Sequence, residues 1–230
     1  MRSGVLNRNV VAMRLAEMYA SLQGEGPNVG QYVEFIRLYG CNLNCSFCDT
    51  KYSHDGKCES FEMEPVDVVD TAVARHFVWT GGEPLLQEDG IYEAIHYQTN
   101  IQKIPCFEGE PWVNDLETNG TIIPRRPDLF DTIVVSPKAY DTEEFFWWLD
   151  LSRKADMYNV WFKFLAADEK SVKKLRYLID QYDIARYYVM PITTDGNETE
   201  EHKRIATACI YEGLNFTPRL HKLLKIEAFA

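Results

Sequence analysis

Three cysteines, Cys41, Cys45 and Cys48, share one short stretch, Gly40-Cys41-Asn42-Leu43-Asn44-Cys45-Ser46-Phe47-Cys48. Thiolates are soft ligands, and three of them on one loop can bind three irons of a cubane 4Fe–4S cluster. A closed all-cysteine site takes four ligands, so three leave one iron open to chelate a substrate or cofactor. The alternative occupant is zinc, with His54 or Cys58 as the fourth ligand. Zinc sites are usually assembled from paired two-ligand knuckles, and no second Cys-x-x-Cys follows. The cluster is therefore the expected reading. Cys58, Cys106 and Cys209 read as plain thiols.

A second motif, Thr80-Gly81-Gly82-Glu83-Pro84, ends a strand-like run at 77–80. Two glycines let the backbone approach a ligand closely, and Glu83 offers a carboxylate to an ammonium group. Cys-x-x-x-Cys-x-x-Cys after a first barrel strand, with aromatic Phe47 before the third cysteine and Gly-Gly-Glu one βα unit later, resembles the radical S-adenosylmethionine (SAM) superfamily. The resemblance implies that SAM chelates the open iron, and that one electron from the reduced cluster cleaves it to methionine and a 5′-deoxyadenosyl radical. That radical removes a hydrogen atom from the substrate, while the protein positions the cofactor and excludes water and oxygen. The implied SAM-binding residues are Phe47, Cys48, Asp49, Gly81, Gly82 and Glu83, then Ser136-Pro137-Lys138 and Met190-Pro191 at later strand ends. Glu117-Thr118-Asn119-Gly120 is similar to the family's corresponding motif. Met190 stands where the family usually carries Gln, so any adenine contact there is apolar or through the backbone.

Further segments resemble the 7-carboxy-7-deazaguanine synthase family within that superfamily. In Ser21-Leu22-Gln23-Gly24-Glu25-Gly26, the Gln23 amide and Glu25 carboxylate suit the donor and acceptor edge of a pterin. In Phe35-Ile36-Arg37-Leu38, strand alternation puts Arg37 on the side of Phe35, facing a pocket where it can clamp a carboxylate bidentately. The resemblance implies Leu22, Gln23, Gly24, Glu25, Arg37, Thr80 and His221 as substrate-binding residues, the last within Arg219-Leu220-His221-Lys222. It implies Thr50 as a Mg²⁺ ligand. A lone hydroxyl is a weak ligand, so that metal must take further oxygens from the substrate. The implied reaction converts 6-carboxy-5,6,7,8-tetrahydropterin to 7-carboxy-7-deazaguanine with loss of ammonia, a carbon–nitrogen lyase step in 7-deazapurine (queuosine-type) biosynthesis. A flavodoxin or ferredoxin as electron donor and a homodimer belong to the same expectation. The rival in another class is an activase that installs a glycyl radical on a partner protein. It would share the cluster loop and Gly-Gly-Glu, with no need of Gln23-Gly24-Glu25-Gly26 or Arg37.

These residues need elements to position them. Strand-like runs at 13–20, 32–38, 77–80, 112–117, 132–136, 160–165 and 187–192 alternate with helix-like ones. Val66, Val69 and Val73 keep a helical spacing, as do Val172, Leu175, Ile179 and Tyr182 behind Asp168 as N-cap, and residues 198–211 form a third candidate. The alternation predicts an α/β fold, a partial TIM-type barrel of mostly parallel strands with outer helices. Functional groups in such barrels gather at the C-terminal strand ends, and each motif above sits where a strand ends. Residues 1–12 read as an N-terminal extension and 13–230 as a single domain. Residues 51–61 receive no role.

Composition narrows the partners. The chain has 230 residues, 46% hydrophobic, with 24 basic against 35 acidic side chains and a formal net charge of -11. Such a surface repels nucleic acid and favours a small-molecule substrate. No apolar run approaches the roughly 20 residues that span a bilayer, and residues 1–13 lack an apolar leader core. No membrane partner and a cytoplasmic location are expected, where metal chemistry outranks disulfides for six cysteines.

Overall fold

Strands rich in Val, Ile, Phe and Trp alternate with amphipathic helices, and in a computed structural model they assemble into one eight-stranded sheet. The structure describes residues 12–56, 59–103, 109–193 and 197–226. The strands are β1 (Met13–Leu22), β2 (Tyr32–Leu38), β3 (Phe61–Met63), β4 (His76–Gly81), β5 (Val113–Thr118), β6 (Thr132–Val135), β7 (Val160–Ala166) and β8 (Tyr187–Pro191). Their spatial order is β3-β1-β2-β4-β5-β6-β7-β8. From β2 to β8 all neighbours pair in parallel, while β1 runs antiparallel to both β2 and β3. The sheet is open, with β3 and β8 at its edges. This is the mostly parallel, incomplete barrel that the alternation predicts.

Helices α1 (Pro65–Thr71), α2 (Glu88–Gln102), α3 (Glu143–Ser152), α4 (Glu169–Tyr182) and α5 (Glu198–Glu212) lie between or after the parallel strands, and α6 (Leu220–Leu224) ends the described chain. Successive strand residues point to opposite faces. Leu15, Ile36, Leu38, Phe77, Trp79, Leu116, Ile133, Phe162 and Phe164 form the large buried core with the helices. Val33, Phe35 and Val78 form a smaller cluster on the other face, with Tyr19 against it. Above that cluster the same face carries Arg37, Thr80, Glu117, Ser136, Lys163 and Met190, which open into a cavity.

Helix α4 forms as its sequence predicts. Asp168 accepts from Ser171 N at 2.8 Å, Ser171 Oγ answers to Asp168 N at 3.0 Å, and Val172, Leu175 and Ile179 are buried. Helix α1 departs from its expected stripe. It stops at Thr71, Val68 joins Val69 as the buried pair, and Val73 is 72% exposed. The buried Glu34 carboxylate accepts from both Val73 N and Ala74 N at 3.0 Å, drawing the chain out of the helix. Helices α2 and α3 and strand β3 arise in stretches with no element assigned from sequence, and β5 begins one residue later than expected. Residues 1–11, Cys58 and Cys106 lie outside the described residues. No helix among the described residues is long and apolar enough to cross a membrane.

Helix α3 connects the core to the site. Its Trp148 is fully buried and donates from Nε1 to Gly120 O at 3.1 Å, holding the loop that follows β5. Trp148→Ala should cost about 3–5 kcal/mol, the usual range for emptying a large buried aromatic. A urea midpoint unchanged from the wild type would show that α3 does not hold this loop.

Candidate functional site

A cavity of about 450 Å³ opens at the C-terminal ends of the parallel strands. The cluster loop, Cys41 to Cys48, follows β2 directly and lines it with all three thiols. The loop is stitched to its neighbours. Leu43 N donates to Cys41 Sγ at 3.4 Å, and Cys48 N to Cys45 O at 3.2 Å. Asn119, after β5, donates from Nδ2 to Asn42 Oδ1 at 3.0 Å and to Cys41 Sγ at 3.9 Å. Burial pushes the Cys41 thiol above its ordinary range, only partly offset by the Leu43 N–H. A bound iron would reverse that, since a coordinating thiol is deprotonated outright.

The donor set fits a cubane. Three cysteines on one loop face one cavity, and N–H groups already aim at one sulfur, as cluster thiolates require. A zinc site would take a fourth ligand from His54 or Cys58. The zinc alternative with Cys58 lies outside the described residues. Both His54 ring nitrogens are buried without a partner in the cavity wall.

The Gly81-Gly82 turn lies against the same loop. Gly82 N donates to Leu38 O at 3.1 Å and Glu83 N to Gly40 O at 2.8 Å. A side chain at Gly82 would strike Gly40 O and the Cys41 side chain, and one at Gly81, where φ is +138°, would strike the Leu38 backbone. Glu83 itself does not line the cavity. It is 1% exposed, and its carboxylate accepts from Leu85 N, Thr118 Oγ1 and Asn119 N at 3.1, 2.9 and 2.8 Å. These three contacts join the turn after β4 to the end of β5. Burial raises the carboxyl to about 7 despite the three donors.

The other sequence-predicted residues sort in the same way. Leu22, Gln23, Glu25, Arg37, Phe47, Asp49, Thr50, Thr80, Ser136, Lys138, Met190 and His221 line the cavity. Gly24, Pro137 and Pro191 do not. Gly24 packs where a Cβ would strike the His221 ring, and its carbonyl accepts from Leu220 N at 2.9 Å, so it seats the C-terminal segment. Pro137 and Pro191 are buried beside cavity-lining neighbours. Lys138 Nζ donates to Ser136 Oγ at 2.9 Å and lies 6.0 Å from the centre of the exposed Phe47 ring.

On the far wall, Arg37 donates from Nε to Glu17 at 2.6 Å and from Nη2 to Tyr19 Oη at 3.3 Å, and Tyr52 Oη donates to the same Glu17 oxygen at 2.6 Å. On the floor, Gln23 Nε2 and Thr80 Oγ1 donate to the two Glu117 oxygens at 3.2 and 3.1 Å. Thr50 Oγ1 stands 3.7 Å from Cys48 Sγ. Glu25 is held by Lys163 Nζ at 2.6 Å and Arg219 Nε at 3.4 Å. Burial alone would raise the Glu25 carboxyl, but Lys163, Arg219 and His221 together bring it down to about 2. Burial likewise works against the Lys163 ammonium, and Glu117 and Glu25 overcome it, holding the group above the usual lysine range. Desolvation lowers the His221 imidazole below its ordinary value.

Sequence reasoning missed Lys163 and Arg219. A single lysine inside the apolar strand Val160-Trp161-Phe162-Lys163-Phe164-Leu165 was the available signal for the first, and its alternation neighbour Leu165 lines the cavity beside it. Arg219 gives no local signal, because its partners lie 26 to 194 positions away.

Comparison with known proteins agrees with the geometry. The family model described as the radical SAM superfamily matches residues 35–195. A protein named 7-carboxy-7-deazaguanine synthase from Hyperthermus butylicus is 34% identical, over 93% of each chain. One of the same name from Pyrobaculum aerophilum is 33% identical, over 91% of this chain and 93% of its own. The crystal structure of QueE from Escherichia coli superposes with a TM-score of 0.58, covering 91% of this chain and 95% of its own, at 24% identity, which supports the fold.

The Glu25–Lys163 pair sets a pH dependence. The Glu25 carboxyl titrates at about 2 when folded against 4.5 unfolded, so its contribution is present above 4.5 and is lost as pH falls through 2. Glu25→Gln removes the carboxylate that is bonded to the buried Lys163, leaving Glu117 as a charge partner, and should cost about 3–5 kcal/mol at neutral pH. Its stability should then decline less steeply than the wild type's between pH 4.5 and 2, followed by circular dichroism. Parallel acid profiles would show that the pair carries no net stabilisation.

Proposed function

This chain belongs to the radical SAM superfamily and, within it, to the 7-carboxy-7-deazaguanine synthases, and from that premise we propose how its residues serve the reaction. The enzyme uses a 4Fe–4S cluster and SAM to convert 6-carboxy-5,6,7,8-tetrahydropterin to 7-carboxy-7-deazaguanine with loss of ammonia. Membership in this family disfavours the activase alternative. When bound, the cluster and SAM supply a carbon radical that removes a hydrogen atom from the substrate. The observation that carries the reading is one cavity lined by the cluster loop, the Gly81-Gly82 turn and the polar set Gln23, Glu25, Arg37, Thr80 and His221.

In this reading Cys41, Cys45 and Cys48 hold the cluster. Gly81, Gly82, Ser136, Lys138 and Met190 bind SAM with Phe47, Cys48 and Asp49. Glu117 is oriented by Gln23 and Thr80 and forms a polar shelf under the pterin ring. Glu25, kept ionised by its buried cations, accepts from the ring's N–H edge. Arg37, braced by Glu17 and Tyr19, meets the substrate carboxylate, and His221 closes the pocket from the C-terminal segment. Thr50 would offer its hydroxyl to Mg²⁺. A metal with a single hydroxyl from the protein would take its other ligands from substrate oxygens, so its binding would depend on a correctly seated carboxylate. Arg37 and the Gln23, Glu25 and Thr80 set would hold the substrate in one orientation, and orientation of this kind supplies much of a barrier reduction. A flavodoxin or ferredoxin delivers the electron, the enzyme works as a homodimer in the cytoplasm, and residues 13–230 form one domain.

Two measurements test this. Replacing Cys41, Cys45 or Cys48 by Ala should abolish the iron–sulfur absorbance and SAM cleavage, and Cys209→Ala should preserve both. Reduced, cluster-loaded protein should make 7-carboxy-7-deazaguanine from the carboxypterin, faster with Mg²⁺, with the product read by mass spectrometry. Thr50→Ala should lose the Mg²⁺ response while SAM affinity holds. Arg37→Ala should raise KM, and Arg37→Lys should recover part of it, because a point charge makes no two-pronged contact. SAM cleavage without this product, with or without Mg²⁺, would remove the substrate assignment.

A further inference from the structure

Four chain segments remote in sequence meet at one side chain. Arg219 precedes α6 and is 4% exposed. Its Nε donates to Glu25 at 3.4 Å, its Nη1 to Thr193 Oγ1 at 2.5 Å, and its Nη2 to the Asp49 carboxylate. Its backbone is held as well: Arg219 N donates to Nε2 of the buried His202 on α5 at 2.8 Å. Glu25 lies in the turn after β1, Asp49 is the residue after the last cluster cysteine, and Thr193 follows β8. The guanidinium therefore spans from the substrate end of the cavity to the cluster loop, across its open edge.

Among the described residues, Arg219 is the one salt-bridge partner of Asp49. Asp49 is exposed on its loop, where Cys48 N donates to Cys45 O on one side and Ser53 N and Oγ donate to Thr50 O at 2.9 and 2.7 Å on the other, whereas Arg219 is buried and anchored from α5. A planar guanidinium with three nitrogens engaged fixes both direction and distance, which a flexible ammonium cannot. The loop it restrains carries Cys48 and Thr50, and the carboxylate it shares with Lys163 is Glu25.

We propose that Arg219 is a positioning residue that sets the cluster loop against the substrate seat, so that hydrogen is taken from the substrate rather than the radical being wasted. This deepens the functional reading above, resting on it for the identity of the substrate. Arg219 touches neither reacting carbon. It acts through Asp49 at one end and Glu25 at the other. A misplacement of about 1 Å between reacting centres costs on the order of 10²-fold in rate. Coupling between productive turnover and SAM cleavage is thus the property that depends on the strap.

The test uses the cluster-loaded protein and two readouts. The first is the ratio of 5′-deoxyadenosine to 7-carboxy-7-deazaguanine. In Arg219→Gln product formation should fall by roughly 10²-fold, with SAM cleavage falling much less, so the ratio rises at least about tenfold, while SAM affinity and the iron–sulfur spectrum persist. Arg219→Lys should lie between, and it carries the test if the Gln variant does not fold. The second readout needs no substrate: hydrogen exchange in the 41–50 segment should speed up in Arg219→Gln and equally in Asp49→Asn, the double variant adding nothing further, while α4 is unchanged. An unchanged ratio together with unchanged exchange in the 41–50 segment overturns the proposal, as does a loss of stability spread evenly over the chain. Altered exchange in a protein whose wild type makes no product would instead locate the failure in the substrate assignment.

Discussion

A parallel strand shows only every second side chain to the interior, and that constraint decides where chemistry can sit in this chain. On β2, β4, β5, β6, β7 and β8 the helix-facing positions are given to Ile36, Phe77, Leu116, Ile133, Phe162 and Val189, which build the core. The opposite positions run from an apolar base of Val33, Phe35 and Val78 to a polar rim at the C-terminal ends. Because the sheet is open, nothing in the barrel itself fixes the distance between its first and last strands. Loops must do that, and the site is built from the contacts with which they do it.

Those contacts are mostly buried ionic groups, which interior burial makes costly unless each is matched. Glu83 joins the turn after β4 to the loop after β5, with all its donors from Leu85, Thr118 and Asn119. Glu117 joins the β1 turn to β4 through Gln23 and Thr80. Glu25 joins the β1 turn to β7 and to the C-terminal segment through Lys163 and Arg219. Each carboxylate thus ties segments that the sheet alone leaves independent. Glu25, Glu117, Lys163 and Arg219 line the cavity with fixed, oriented polar groups, which is the arrangement that stabilises a polar substrate without reorganisation.

What the sequence disclosed follows from the range of each interaction. The cluster loop, the Gly81-Gly82 turn, the parallel strands and the Asp168 cap are local in sequence, and each is where its spacing predicts. Val73 was misread because the helix stripe was extended past the point where Glu34, 39 positions earlier, captures the backbone. The Glu83 and Gly24 motifs say that these residues lie near the site, not how the fold holds them there. Tertiary structure turns one towards Thr118 and Asn119 and packs the other under His221. Lys163 left a faint mark, a charge in an apolar strand, while Arg219 left none, since its partners come from the turn after β1, the cluster loop and the end of β8.

Glycine spacing and charge pairing converge on the cluster loop from opposite sides. From β4, Gly82 packs so closely that a side chain would displace Gly40 and Cys41, and Glu83 N anchors Gly40 O. From β5, Asn119 is oriented by the Glu83 carboxylate at its N–H and reaches Asn42 and the Cys41 sulfur with its amide. The Cys41 end of the loop is therefore held by short, neutral, backbone-directed contacts that leave little freedom. The Cys48 end is held differently: Thr50 O accepts from Ser53 N and Oγ at 2.9 and 2.7 Å, Ser53 O in turn accepts from Gly40 N at 2.9 Å, and the Asp49–Arg219 pair adds the tie to the C-terminal segment that these local contacts do not supply.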